Sequence, residues 1–168
     1  MNMKPLAIVY KSNTGHTERY AGLLGDRTGL PVFSLGFAEK SLEKGEPVIF
    51  LGWLSAGNVK GYKKAAEKFK VCAVCGVGLC DTGALLENVR KTTKIPPECP
   101  VFTVQGGLDR EKLRGGKKAV INLLTWAMRS KKDKTGEERR MTELLIKGGD
   151  FVCAENLSAV LEWYENEK

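Results

Sequence analysis

The sequence predicts an α/β fold built on a doubly wound, five-stranded parallel sheet with the strand order 2-1-3-4-5. Apolar runs with the length of strands alternate with helical patterns along most of the chain. Two of these runs are almost continuously apolar, as strands are when helices cover both faces of a sheet. Residues 1–168 contain no repeat and no linker, so we predict a single domain.

The first half of the chain contains three predicted strands and two predicted helices. The strands span Leu6–Tyr10, Val32–Leu35 and Pro47–Trp53. A helix begins at Thr17 and ends near Arg27, because Gly29 and Pro31 terminate helices. A shorter cationic helix spans Tyr62–Phe69.

The second half completes the predicted sheet but also contains a long excursion. The fourth strand covers VCAVCGVG from Val71, a helix follows over Ala84–Thr92, residues 101–104 form the fifth strand, and the last helix runs from about Asn156 to Asn166. Residues 105–150 do not follow the alternation, although Lys118–Met128 has a strong helical pattern. Excursions of this length in a compact domain are usually functional, so we predict an insertion there.

The net charge of +7 is concentrated in the insertion. Residues 110–140 contain eleven Lys and Arg against four acidic residues, and the rest of the chain is neutral. The predicted helix there carries Trp126 amid aliphatic residues, so it either packs on its own domain or lies on an anionic membrane surface. We do not expect nucleic acid as a partner, because no recognised nucleic-acid module accompanies the basic segment.

The cysteine pattern and the N-terminus predict a cytoplasmic protein, with attachment to the membrane periphery as the alternative. Five cysteines at irregular spacing indicate free thiols, and the N-terminal segment has no secretory pattern. No apolar run approaches the roughly 20 residues of a membrane span. Cys72 and Cys75 form a CxxC pair, but positions i and i+3 of a strand face opposite sides, so we predict buried thiols and no metal site.

Three polar loops follow predicted strands, at residues 11–17, 53–61 and 76–83. In the predicted strand order these loops lie side by side where the winding reverses, which is where such sheets bind ligands. The first loop has hydroxyl groups and a glycine at the start of a helix, which suits an anion. The arrangement predicts an elongated ligand with an anionic end and a flat end.

The sequence SNTGHT of the first loop resembles the FMN phosphate loop of the flavodoxin family. Ser12, Thr14, Gly15 and Thr17 occupy the patterned positions, and Asn13 and His16 occupy the variable ones. The resemblance covers residues 6–104 and the last helix, and it implies a flavodoxin-like fold with FMN as the cofactor.

The resemblance also implies that the second and third loops hold the flavin ring. The residues that it assigns to the ring are Trp53, Leu54, Ser55, Ala56, Gly57 and Asn58 of the second loop, and Gly76, Val77, Gly78, Cys80 and Asp81 of the third. Gly57 would supply a peptide facing the flavin N5 atom. Trp53 either stacks on the ring or simply completes a buried strand.

The expected function is FMN-dependent electron transfer to a specialised redox partner protein, because flavodoxin carriers are typically acidic and this chain is basic. The insertion is similar to that of menaquinone-dependent protoporphyrinogen oxidase, a flavodoxin-like enzyme. The shared features are Gly107-Leu108 before a basic run, an apolar helix ending in Met128, and a charged stretch. An oxidase that passes electrons to a quinone is therefore one alternative, and a flavin-free docking module is another. No catalytic residue is identifiable.

Overall fold

The computed structural model describes residues 3–167, and a mostly parallel sheet forms its centre. The strands are β1 (Ala7–Lys11), β2 (Val32–Ser34), β3 (Pro47–Ser55), β4 (Asn58–Val59), β5 (Lys70–Gly78), β6 (Val101–Gln105), β7 (Gly107–Leu108) and β8 (Gly149–Asp150). The central sheet has the order β2-β1-β3-β5-β6, and each neighbouring pair on this path is parallel. The α/β class predicted from the sequence is confirmed.

Helices cover both faces of the central sheet. They are α1 (His16–Thr28), α2 (Leu35–Ser41), α3 (Tyr62–Lys68), α4 (Leu86–Thr93), α5 (Gly115–Ser130), α6 (Gly136–Lys147) and α7 (Ser158–Asn166). Side chains of α2, α3 and α4 pack on one face, and side chains of α1 and α7 pack on the other. The strands are therefore buried on both sides, which is the reason for their continuous apolar runs.

Alternate residues of the central strands enter two different cores. In β1, Val9 joins the core under α2 and α3, whereas Ile8 joins the core under α1 and α7. In β3, Phe50 and Leu51 divide in the same way, and all four side chains are fully buried. The central sheet therefore separates two apolar cores, one on each of its faces.

A β-bulge at Cys72 interrupts the pairing of β3 with β5. Val48 pairs with Val71 and Ile49 pairs with Ala73, so Cys72 is the extra residue. All five cysteines are free thiols, and burial raises the pKa of Cys75 to about 12. Within residues 3–167, no group of three or more metal-ligating side chains is placed to hold a metal ion.

Several elements differ from the sequence prediction. Helix α2 was not predicted, and β3 continues to Ser55 and turns back into β4 instead of ending at Trp53. The helix predicted from Ala84 begins at Leu86, because Leu85 has a φ of 60° and lies outside the helix. The short strand predicted to end at Leu35 ends at Ser34, because Leu35 is the first residue of α2.

The segment predicted as an insertion, residues 105–150, contains two helices and a two-stranded sheet that is separate from the central one. Helices α5 and α6 pack on each other, and the antiparallel pair β7 and β8 joins the two ends of the insertion. Their small core contains Leu108, Leu113, Leu144 and Leu145. No helix within residues 3–167 combines the length and the apolarity that crossing a membrane requires.

Candidate functional site

The first loop joins the carboxyl end of β1 to α1. Gly15 caps the helix with a φ of 103°, a left-handed conformation that glycine adopts without strain. The Gly15 N–H donates to Ser12 Oγ at 3.2 Å, and the Gly15 carbonyl accepts the Arg19 N–H at 3.0 Å. The first amides of α1 have no carbonyl of their own helix to bind, so this turn presents donors at the positive end of a helix dipole.

The side chains of the first loop differ in accessibility. Asn13 is exposed, Ser12, Thr14 and His16 are half-buried, and Thr17 is only 1% exposed. Thr14 Oγ1 lies 3.1 Å from His16 Nδ1. Burial lowers the pKa of His16, with smaller effects from Asp150 and other nearby charges, so its imidazole is neutral at neutral pH. The loop therefore offers uncharged hydrogen-bonding groups.

Two lysines of the insertion contact the first loop. Lys112 Nζ donates to the Thr14 carbonyl at 3.3 Å. Lys117 Nζ donates to Asn13 Oδ1 at 2.7 Å and lies 4.4 Å from the centroid of the Trp53 ring. These contacts place positive charge beside a loop that contains none between Ser12 and Thr17.

The second loop is a β-hairpin rather than an open loop. Trp53, Leu54 and Ser55 belong to β3, Asn58 belongs to β4, and Ala56 and Gly57 form the turn with φ values of 50° and 78°. The Gly57 carbonyl accepts the Thr93 hydroxyl at 3.3 Å.

This hairpin turn therefore packs on α4, which carries both Asn88 and Thr93. A Cβ at Gly57 would lie 2.4 Å from Asn88 Oδ1, so the turn tolerates no side chain at that position. Within the hairpin, Trp53 lies near the first loop, because Lys117 contacts both the Trp53 ring and Asn13 of that loop.

The third loop follows β5 and is tied to β6. Gly76 and Gly78 lie in β5 beneath the Leu54 side chain, which a Cβ at either glycine would meet at 2.9 Å. The Gly106 N–H donates to the Gly78 carbonyl at 2.8 Å. A Cβ at Gly106 would lie 3.2 Å from His16 Cβ, so the end of β6 lies directly against the first loop.

A cavity of about 360 Å³ separates the third loop from α6. Its lining residues include Cys80, Asp81, Gln105, Met141 and Phe151. Asp81 Oδ2 lies 3.6 Å from an Arg140 guanidinium nitrogen across this cavity. Burial raises the pKa of Cys80, and the neighbouring acidic side chains raise it further, which makes its thiol a poor nucleophile.

The predicted site residues therefore divide into three groups. Residues 12–17 and Trp53 lie together at the carboxyl end of β1 and β3, near Val77 and Gly78. Gly57 and Asn58 lie in the hairpin toward α4, and Cys80 and Asp81 face the cavity beside α6. The sequence prediction missed the contacts of Lys112 and Lys117 with the first loop. A basic run in the sequence indicates a charged segment, but it does not indicate which loop that segment contacts in the fold.

The donor set fits the anionic end of a mononucleotide better than it fits a flavin ring. Amides, hydroxyls and two ammonium groups converge on the first loop, whereas Trp53 is the aromatic side chain next to it. Tyr62, the first residue of α3, is buried in the core under that helix. Anion binding at the first loop is what this arrangement can perform chemically.

Comparison with known family models, curated proteins and solved structures found no match to this chain.

Proposed function

We propose that the protein binds FMN at the first loop and transfers electrons to a specialised partner. The observation that carries the proposal is the turn of residues 12–17. This turn follows β1 of the parallel sheet and lies near the half-buried Trp53. Ligands of doubly wound sheets bind at the carboxyl ends of the strands, where this turn lies.

The residues of this site have separate tasks in the proposal. The Thr14 hydroxyl and the first amides of α1 bind the terminal phosphate, and Trp53 borders the ring. FMN supplies the electron chemistry when it is bound, because its ring accepts and releases electrons. The chain itself binds and orients the cofactor and limits access of water through the hairpin of β3 and β4.

Flavin titration of the purified protein tests the proposal. We expect saturable quenching of FMN fluorescence, and visible flavin absorbance that stays with the protein through gel filtration. Thr14→Val removes one hydroxyl donor and should weaken FMN binding by about 1.5–3 kcal/mol, which is about a tenfold to hundredfold loss of affinity.

Thr28→Val is the matched control for this substitution. Thr28 lies at the other end of α1, where its hydroxyl donates to the Leu24 carbonyl at 2.8 Å, so FMN affinity should not change. Wild-type protein that neither retains nor quenches FMN would contradict the proposal and favour the flavin-free docking module. Equal FMN affinity in Thr14→Val and wild type would contradict the assignment of the phosphate.

We propose an anionic lipid surface as the place where this protein meets its partner. Helix α5 has no buried residue, and Val120, Leu123 and Trp126 are 64%, 66% and 67% exposed. Such an apolar surface on a basic helix matches the boundary between acyl chains and anionic headgroups. Each Lys or Arg near an anionic membrane contributes about 1 kcal/mol to the free energy of binding to it.

Sedimentation with vesicles tests this partner. The protein should sediment with vesicles that contain phosphatidylglycerol, and not with vesicles of phosphatidylcholine alone. Combined Leu123→Ala and Trp126→Ala substitutions should abolish sedimentation, whereas Ile146→Ala on the exposed side of α6 should not. Equal sedimentation of all variants would contradict a role for α5.

The same surface favours a second candidate function, the quinone-dependent oxidase. A protein that docks through α5 lies where membrane quinones are dissolved, and the insertion is the segment that resembles protoporphyrinogen oxidase. Oxidation of protoporphyrinogen with a menaquinone analogue, faster with anionic vesicles, would support this candidate. Electron exchange with a flavin reductase in the absence of such turnover would leave the carrier function.

A further inference from the structure

We infer that Lys112 and Lys117 of the insertion supply the positive charge of the phosphate site, so that the insertion determines its preference for a phosphorylated ligand. The inference rests on the proposed function and adds to it, because the flavodoxin-like loop itself offers neutral donors. It also assigns a binding role to a segment that lies outside the central sheet.

Lys112 reaches the first loop from the short turn before α5. Its Nζ atom is 3.3 Å from the Thr14 carbonyl and would lie 4.0 Å from a Cβ at Gly15. Asp109 Oδ2 is 3.5 Å from the same Nζ. The ammonium group is therefore positioned above the turn that presents the first amides of α1.

Lys117 reaches the loop from the first turn of α5. Its Nζ atom contacts Asn13 Oδ1 at 2.7 Å and the Trp53 ring at 4.4 Å, so it lies between the first loop and the second. A cation over the face of an aromatic ring is stabilised by the ring quadrupole. Lys117 is thus held at the boundary between the anionic end and the flat end of the proposed ligand.

The other charges around the loop do not replace these two lysines. Arg19 is paired with Asp150 at 2.6 Å, and Asp109 offsets part of the charge of Lys112. The aliphatic part of Lys11 packs beside Gly61, on the side of the second loop. A phosphate monoester carries close to two negative charges at neutral pH, so a loop of neutral donors leaves charge that two ammonium groups can balance.

The lysines predict how the site discriminates between ligands. Their charge should strengthen the binding of FMN through its phosphate. It should not affect the affinity for riboflavin, which has the same ring without the phosphate. Because the attraction is electrostatic and the side chains are exposed, it should weaken as the ionic strength rises. Ligand binding should also protect the segment from Asp109 to Lys117 from proteolysis, since both lysines would then contact the ligand.

The test compares FMN and riboflavin affinities of five proteins by fluorescence titration at low and high salt. They are the wild type, Lys112→Ala, Lys117→Ala and the double variant, with Lys118→Ala plus Lys132→Ala as a control of equal charge change. We expect about a tenfold loss of FMN affinity for each of the two lysines, no loss for riboflavin, and a smaller salt dependence in the double variant. The control should bind FMN like the wild type.

The outcomes separate this inference from the proposed function. A double variant that is folded and binds FMN as tightly as the wild type would overturn the inference and leave the function intact. A wild-type protein that binds no FMN would overturn the function. In that case titration with inorganic phosphate still tests the lysines. Shifts of the amide resonances of residues 13–17 that the double variant lacks would support them, and wild-type amides that do not respond would overturn the inference.

Discussion

The central sheet and the insertion use apolar residues in opposite ways. In β1 and β3, Ile8, Val9, Phe50 and Leu51 are fully buried between two layers of helices. In α5, the side chains of Val120, Leu123 and Trp126 are about two-thirds exposed, and no residue of the helix is buried. The strands of the sheet therefore bury their apolar side chains on both faces, whereas α5 exposes several of its own to solvent.

The insertion is nevertheless attached to the sheet at defined points. The pairing of β7 with β8 closes its base, and an Arg110 guanidinium donates to the Leu145 carbonyl within it. Lys112 and Lys117 add contacts to the first loop. The proposed phosphate site therefore includes two side chains from a segment that lies outside the two main cores.

Replacing leucine by alanine should change the free energy of unfolding far more in the central sheet than in α5. Leu51→Ala should lower the free energy of unfolding by about 2–5 kcal/mol, because it leaves a cavity in the core. Leu123→Ala, at a side chain that is 66% exposed, should change it by less than about 0.5 kcal/mol. Urea unfolding measures both. Similar losses for the two variants would show that α5 is buried in solution.

A second pair of variants tests the base of the insertion. Gly107 has a φ of 146°, and a Cβ there would lie 2.2 Å from the Gly149 carbonyl oxygen, so Gly107→Ala should disrupt the β7–β8 pair at a cost of about 1–3 kcal/mol. Gly116→Ala meets open space in α5 and should stabilise the helix by up to about 1 kcal/mol. Limited trypsin digestion should cut residues 110–147 faster in Gly107→Ala and slower in Gly116→Ala. The reverse order would contradict this account of the attachment.

A smaller effect is expected from the pH dependence of His16. Burial lowers the pKa of this imidazole below 6.5, so the unfolded chain binds a proton more readily than the folded chain. The contribution of His16 to the free energy of unfolding is fully present above pH 6.5. It is lost as the pH falls from 6.5 toward the lower pKa that His16 has in the folded state. Urea midpoints should therefore fall less for His16→Gln than for the wild type over this window. Parallel pH profiles would contradict the burial of His16 against Gly106.

The smallest effect is expected for Asp150, whose pKa is lowered chiefly by its hydrogen bond with Arg19. The ionised carboxylate contributes stability above its ordinary pKa of 3.8, and the contribution is lost as the pH falls toward the lower pKa of the folded state. Both side chains are about half exposed, so Asp150→Asn should cost only about 0.2–1 kcal/mol at neutral pH. Asp26→Asn is a control on the same helix as Arg19, and an equal cost for the two variants would argue against the pair.

The sequence predicted the elements whose pattern is strong and local. The apolar runs at Leu6–Tyr10 and Pro47–Trp53 became β1 and β3, and the helical pattern at Lys118–Met128 became the middle of α5. Helix α2 was missed because its seven residues contain a glycine and only a short apolar pattern. The hairpin of β3 and β4 was missed because its turn has Ala56 at a positive φ, where Asn or Gly is the usual signal.

The candidate site was predicted only in part, for a similar reason. The position of residues 12–17 follows from a polar turn directly after a strong strand. The contact of Lys117 with Asn13 joins residues 104 positions apart, and it depends on how α5 lies beside the sheet. No local sequence pattern contains that information. The sequence therefore predicted a basic segment, but it did not predict that this segment contacts the first loop.

Titration of isotope-labelled protein with FMN, followed by the amide resonances and the Trp53 indole resonance, tests directly whether the first loop binds the cofactor. We expect saturable shifts at residues 13–17 and at Trp53, with the amides around the cavity beside α6 changing little. No shifts with FMN, or shifts confined to the cavity residues near Asp81 and Arg140, would contradict binding at the first loop.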